Sequence, residues 1–147
     1  MCRALLDSGM FLHIIARQQM DQPKILIIDD DPNFLNATKQ ILITNRFQVL
    51  TAQDGEEGIA KAKHESPDLI VLDVIMPGKD GYAVCYELKR MTQTKQIPII
   101  MLTRLKRQLS GSKQAADKNI DHQADDYMCK PIDTQTLIRK IEEHLHR

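Results

Sequence analysis

Leu69-Ile70-Val71-Leu72 is an apolar run that ends on a carboxylate, Asp73, and this junction constrains the fold more than any other stretch of the chain. Four apolar residues, β-branched in the middle and led in by Ser66-Pro67-Asp68, suit a strand buried on both faces, as in a parallel sheet. The run turns at once into Met76-Pro77-Gly78-Lys79-Asp80-Gly81, dense in turn formers. Open α/β sheets carry their chemistry just outside the carboxyl ends of the strands. An aspartate that ends a buried strand is therefore placed to act, although the same residue alone also reads as a cap for the following turn.

The rest of the chain repeats this punctuation. Ile25 to Ile28 form a buried strand running into Asp29-Asp30-Asp31. Pro32 suits the first turn of a helix with Asp31 as its N-cap, and Phe34, Leu35, Thr38, Ile41 and Leu42 carry a helical period up to Asn45-Arg46. Phe47 to Thr51 is a short strand. Asp54-Gly55-Glu56-Glu57 reads as a capping box opening a second helix through Lys63. Tyr82 to Met91 is a third helix, Pro98 to Leu102 a fourth strand ending at Thr103, and residues 104 to 123 a thinly apolar fourth helix broken by Gly111. A strand at Tyr127 to Cys129 leads to Lys130-Pro131. A fifth helix, capped near Asp133 or Thr134, carries Leu137, Ile138, Ile141 and Leu145. Five strands alternating with five helices predict a doubly wound parallel sheet with right-handed crossovers.

At 147 residues the chain holds one such domain, placed at 23–147. Residues 1–22 form an N-terminal extension. They read as a leader upstream of a start at Met20 or as a short amphipathic helix through Phe11, Ile14 and Ile15. Lysine plus arginine match aspartate plus glutamate at twenty each, which gives no general pull toward nucleic acid or an anionic membrane. Three cysteines (Cys2, Cys85, Cys129) lack metal-ligand spacing and an even count, which favours a reducing, cytoplasmic setting. No apolar run is long enough to span a bilayer.

A parallel sheet puts the strand ends on one edge. Asp29 and Asp30 follow strand one, Asp73 ends strand three, Thr103 strand four, and Lys130 strand five. Two like charges 4 Å apart repel by about 4 kcal/mol at an effective dielectric of 20. Three clustered carboxylates therefore call for a counter-charge, and a hard divalent cation such as Mg²⁺ fits, with one or two carboxylates, several waters and phosphate oxygens as ligands. The combination suits phosphoryl transfer: a carboxylate nucleophile, a cation on the transferred oxygens, and a lysine and a hydroxyl sharing the remaining charge.

These motifs resemble the receiver domain of bacterial two-component response regulators, of the single-domain chemotaxis type. The resemblance rests on Ile27-Ile28-Asp29-Asp30-Asp31, on Pro67 through Gly81, on Pro98 through Thr103, and on Ala124-Asp125-Asp126-Tyr127-Met128-Cys129-Lys130-Pro131. It runs from about Lys24 to Leu145. It implies a flavodoxin-like sheet of strand order 2-1-3-4-5 with the site at the switch point between strands one and three. It also implies Asp73 as phosphoacceptor from a sensor histidine kinase or a phosphotransfer protein. Mg²⁺ would be held by Asp30, Asp73 and the backbone carbonyl of Ile75, with Asp29 acting directly or through water. Thr103 and Lys130 would bind the phosphoryl group, and Tyr127 would be the switch partner of Thr103. The only chemistry implied is phosphorylation and dephosphorylation of Asp73 itself, with output to a downstream protein and no direct binding of nucleic acid.

The chain departs from the family pattern at Arg104, where a small residue is usual, at Gln123, where glycine is usual, and in the length between Thr103 and Lys130. Arg104, Lys106, Arg107, Lys113 and Lys118 against Asp117 make residues 104–118 basic, either a solvated face or a surface for an acidic partner. Cys129 is expected to be a buried strand residue, and the five histidines surface or capping residues. A flavodoxin-type cofactor site would want a small-residue loop after strand one, where this chain has three aspartates. A haloacid dehalogenase-type phosphatase would want an aspartate two residues after the nucleophile, where this chain has Ile75. A receiver cut from a larger regulator with a DNA-binding or enzymatic output, or a phosphate sink in a relay, fits the same motifs.

Overall fold

The computed structural model describes residues 22–104 and 124–146. Its strands are β1 (Lys24–Ile28), β2 (Gln48–Ala52), β3 (Leu69–Asp73), β4 (Ile99–Thr103) and β5 (Asp126–Cys129), and its helices α1 (Pro32–Thr44), α2 (Gly55–Glu65), α3 (Gly81–Arg90) and α4 (Thr134–Leu145). The sheet is parallel throughout, in the order β2-β1-β3-β4-β5. The strand order expected for a doubly wound sheet is thus present. The expected number of helices is not: among the described residues there are four, not five. The helix that the sequence pattern places over 104–123 falls on residues of which 105–123 lie outside the described ones, as do residues 1–21 of the N-terminal extension.

Alternation along the buried strands builds two cores. Leu26, Ile28, Ile70, Leu72, Ile99 and Met101 face α2 and α3, where they meet Ile59, Ala62, Val84, Cys85 and Leu88. Their neighbours Ile25, Ile27, Leu69, Val71, Ile100 and Leu102 face α1 and α4, meeting Leu35, Leu42, Leu137 and Ile141. The period of two follows from strand geometry, and burial on both faces explains why these strands read as continuous apolar runs. Gly58 lets α2 lie directly on β1, since a Cβ there would fall 2.4 Å from Ile28 Cδ1.

An aspartate N-caps each of the four helices. Asp31, Asp54, Asp80 and Asp133 accept backbone N–H groups of Asn33, Glu57, Ala83 and Thr136, each such cap contributing about 1 kcal/mol. Glu57 returns the contact by accepting from Gln53 N–H at 3.1 Å, so the expected capping box forms one residue further back. Phe47 is not the first residue of β2. Its N–H and that of Arg46 bond back to the Leu42 and Ile43 carbonyls, with Arg46 at φ 68°, which closes α1 with a Schellman-type turn. α2 runs on to Glu65, whose carbonyl accepts from Lys24 Nζ, before Ser66 turns left-handed.

Candidate functional site

Strand register sets the site. Asp29 N–H bonds to the Ala52 carbonyl, Val74 N–H to Leu102, and Lys130 N–H to Thr103, so the residues just past β1, β3 and β5 are tied to the neighbouring strand ends. Asp29 and Asp73 continue the alternation of Ile25-Ile27 and Leu69-Val71 and emerge on the α1 side of the sheet edge. Both are fully buried, whereas Asp30 is exposed. One carboxylate oxygen from each of Asp29, Asp30 and Asp73 lies within 4.8 Å of the others, an arrangement able to coordinate a metal ion.

The Lys130 ammonium reaches across from the end of β5. It donates to Asp29 Oδ2 at 2.6 Å and stands 3.5 Å from Asp73 Oδ1, with its side chain only 11 % exposed. Asp29 Oδ1 accepts from the Asp31 N–H at 3.0 Å, so both oxygens of Asp29 are engaged. Asp73 differs: neither of its buried oxygens accepts a well-formed hydrogen bond. Burial, reinforced by the charge of Asp29, pushes the Asp73 carboxyl above the usual carboxylate range, and Lys130 and the Ile75 N–H oppose this only in part. A buried carboxylate offset only by an ion pair at 3.5 Å and a loosely placed N–H remains costly. The group that would satisfy it is a cation shared with Asp29 and Asp30, so the donor set fits a hard, oxygen-seeking divalent ion.

The loop from Val74 to Asp80 is held at both ends. Gly81 N–H bonds to the Val74 carbonyl at 2.8 Å, and a Cβ on Gly81 would lie 2.2 Å from the Asp73 carbonyl oxygen, so only glycine permits this closure. Gly78, at φ 77°, takes the turn that a side chain would resist. Lys79 then ties the loop to two helices through Glu56 at 2.9 Å and Glu87 at 2.6 Å. Ile75, two residues past Asp73, sits in this loop with its side chain half exposed.

Thr103 is buried at the end of β4. Tyr127 pairs with Met101 across the β4–β5 ladder and packs on the α2–α3 core, which makes it a diagonal neighbour of Thr103 on one face. Arg104, the last described residue before 124, is exposed.

Three groups of residues escape sequence reasoning. Phe34 of α1 stands under Lys130, its ring centroid 4.1 Å from Nζ, yet in the sequence it is one more apolar residue on a helical face. Asp126 accepts Lys140 Nζ at 2.7 Å and Tyr127 N–H at 2.8 Å on one oxygen and meets His144 Nε2 at 2.9 Å on the other. His144 is therefore buried, not a surface residue, whereas His64 and His146 are exposed, and His13 and His122 lie outside the described residues. Cys129 is half-buried rather than buried, with its Sγ 3.4 Å from the Lys130 carbonyl. Cys85 is the buried thiol, pushed up to about 11 chiefly by desolvation. The basic residues of 104–118 other than Arg104 lie outside the described residues.

No described helix is long and apolar enough to cross a membrane. A family model for the response regulator receiver domain matches residues 25–142. The DNA-binding dual master transcriptional regulator RpaA of Synechocystis is 39 % identical over 125 residues, covering 85 % of this chain and 50 % of RpaA. The chain thus spans about half the length of that relative. Protein PilH of Pseudomonas aeruginosa is 33 % identical over 121 residues, covering 80 % of this chain and 93 % of PilH. Among solved structures, the signal receiver domain of a signal transduction histidine kinase from Syntrophus aciditrophicus superposes with a TM-score of 0.71 at 32 % identity, covering 84 % of this chain and 90 % of that one. With a family model matched over most of its length and the acidic cluster at the carboxyl edge of a 2-1-3-4-5 sheet, the chain belongs to the response regulator receiver domain family.

Proposed function

We propose that Asp73 is the phosphoacceptor and that it takes a phosphoryl group from the phosphohistidine of a sensor histidine kinase or phosphotransfer protein. One observation carries this reading: Asp73 is the carboxylate of the cluster that is buried, without a well-formed hydrogen bond and facing the Lys130 ammonium at 3.5 Å. Asp29 is already engaged at both oxygens, and Asp30 is exposed. An Asp73 oxygen attacks phosphorus in line with the departing imidazole nitrogen, which keeps the electron pair of the broken P–N bond.

Asp29, Asp30, Asp73 and the carbonyl of Ile75 would hold Mg²⁺. When bound, Mg²⁺ supplies positive charge to the transferred oxygens and lowers the repulsion between an anionic donor and the carboxylates. Lys130 neutralises a further phosphoryl oxygen, and the Thr103 hydroxyl donates to another. The bonded position of Thr103 favours one arrangement of Tyr127, its neighbour on the same face, and so biases a two-state surface toward a downstream protein. The protein then works as a switch that catalyses only its own phosphorylation and dephosphorylation. The free thiols of Cys85 and Cys129 support a cytoplasmic setting.

A receiver unit of a longer regulator is the second reading, favoured by the half-length coverage of RpaA. Both readings share the chemistry at Asp73. The test is incubation with acetyl phosphate, with Mg²⁺ or with EDTA, comparing wild type and Asp73→Asn. One phosphoryl group per chain, dependent on Mg²⁺ and absent from Asp73→Asn, is the expected result. Equal incorporation in the variant overturns the assignment.

A further inference from the structure

We infer that Phe34 is a positioning residue for Lys130: the face of its ring holds the ammonium beside Asp73 when the carboxylates are occupied by a cation. The inference rests on the proposed chemistry at Asp73 and adds a residue to it. Phe34 is the third residue of α1, half-buried, and packs against the core cluster on the α1 side of the sheet. Its ring centroid lies 4.1 Å from Lys130 Nζ, inside the range in which the negative face of an aromatic ring attracts a cation.

Lys130 has partners of two opposite characters, the carboxylates (Asp73 at 3.5 Å, and closer still Asp29) and an aromatic ring. The nearer carboxylate is Asp29, a full charge at 2.6 Å. The ring is that of Phe34, which carries no formal charge. A divalent ion on Asp29, Asp30 and Asp73 would draw off the carboxylate charge that holds the ammonium and would repel the ammonium as well. A hard divalent ion takes oxygen ligands and leaves the ring alone. The hold of Phe34 on the lysine therefore survives when that of Asp29 weakens. With its side chain 11 % exposed, Lys130 also gains little from water, the condition in which cation–ring attraction is strongest. Leucine would fill the same core volume but could not do this, which separates positioning from packing.

The test uses the full chain with ¹⁵N-labelled lysine, as wild type, as Phe34→Leu, as Phe34→Tyr, and with pentafluorophenylalanine at position 34. The fluorinated ring keeps the shape and reverses the charge of the face. In wild type the Lys130 side-chain resonances should show a ring-current shift that persists when Mg²⁺ is titrated in. At saturating Mg²⁺, phosphorylation by acetyl phosphate should slow about 3- to 10-fold in Phe34→Leu and in the fluorinated protein, and stay near wild type in Phe34→Tyr. A ring-current shift that vanishes with Mg²⁺ in wild type overturns the inference without touching the assignment of Asp73. So does an unchanged rate in both Phe34→Leu and the fluorinated protein while wild type is phosphorylated normally. A wild type that shows the persistent shift but takes no phosphate would instead overturn the reaction on which the inference rests.

Discussion

Asp73→Asn removes one negative charge from a buried group and keeps its shape, and it should stabilise the metal-free protein. An Asp73 oxygen lies within 4.8 Å of one on Asp29, a repulsion of about 3.5 kcal/mol at an effective dielectric of 20. Lys130 at 3.5 Å offsets this with about 4.7 kcal/mol on the same scale. The net attraction of about 1.2 kcal/mol only partly offsets the cost of burying a carboxylate with no well-formed hydrogen bond, several kcal/mol per ion. Asparagine keeps only the smaller, neutral part of that cost. The upward shift of the Asp73 carboxyl points the same way, since burial and Asp29 outweigh Lys130. The expected gain is about 1–2 kcal/mol, or a rise in Tm of about 3–8 °C. The raised value also fixes a sign with pH. Between the ordinary carboxylate value and the raised one, the folded protein holds more protons than the unfolded chain, so wild-type stability falls as pH rises through that window. Asparagine abolishes this slope. The assay is thermal and urea unfolding in EDTA and in MgCl₂. At ten times its Kd the ion should return about 1.4 kcal/mol to wild type and less to the variant, closing the gap. An Asp73→Asn protein that is less stable than wild type in EDTA, or a gap that Mg²⁺ leaves unchanged, refutes the reasoning.

Asp30 is exposed and contributes charge rather than packing, so Asp30→Ala should keep the fold and weaken Mg²⁺ binding by about tenfold or more; calorimetric titration at wild-type affinity would count against it. Asp126 is desolvated, but hydrogen bonds from Lys140, His144 and the Tyr127 N–H hold its carboxyl below the usual range. Its contribution is therefore present above the ordinary carboxylate pKa and lost as pH falls through the lowered value; Asp126→Asn should cost about 1–2 kcal/mol at pH 7 and flatten acid unfolding below pH 4, and an acid limb of unchanged steepness would contradict this. Beryllofluoride with Mg²⁺ should shift the NMR signals of Tyr127 and its neighbours, in wild type but not in Thr103→Ala; identical responses in both would remove Thr103 from the switch.

The strand ends that meet at the candidate site were legible in the sequence because they are written locally. Each buried strand is an unbroken apolar run, and the residue that ends it is a carboxylate, a hydroxyl or an ammonium. Parallel pairing then brings Asp29, Asp73, Thr103 and Lys130 to one edge. What escaped depends on tertiary neighbours. The end of α1 at Asn45-Arg46 was legible, but the start of β2 was not: Arg46 in a left-handed conformation draws Phe47 into the turn that closes the helix, which glycine would have signalled and arginine does not. His144 is buried by its bond to Asp126 eighteen residues earlier, and a polar residue in a last turn gives no hint of it. Phe34 has the spacing of a core residue because it is one, and only the position of Lys130 shows its second contact. The expected helix count rested on the least apolar segment of the chain, where Gly111 and thin cover leave periodicity little to work on.

The proposed chemistry puts the phosphate on Asp73 as an acyl phosphate. The direct measurement is peptide mapping of the protein after reaction with acetyl phosphate and Mg²⁺, with hydroxylamine treatment of a parallel sample. A single modified peptide containing Asp73, its phosphate lost to hydroxylamine and to base, is the expected result. Phosphate on a serine or threonine, or on a peptide containing Asp29 or Asp30 but not Asp73, would contradict it.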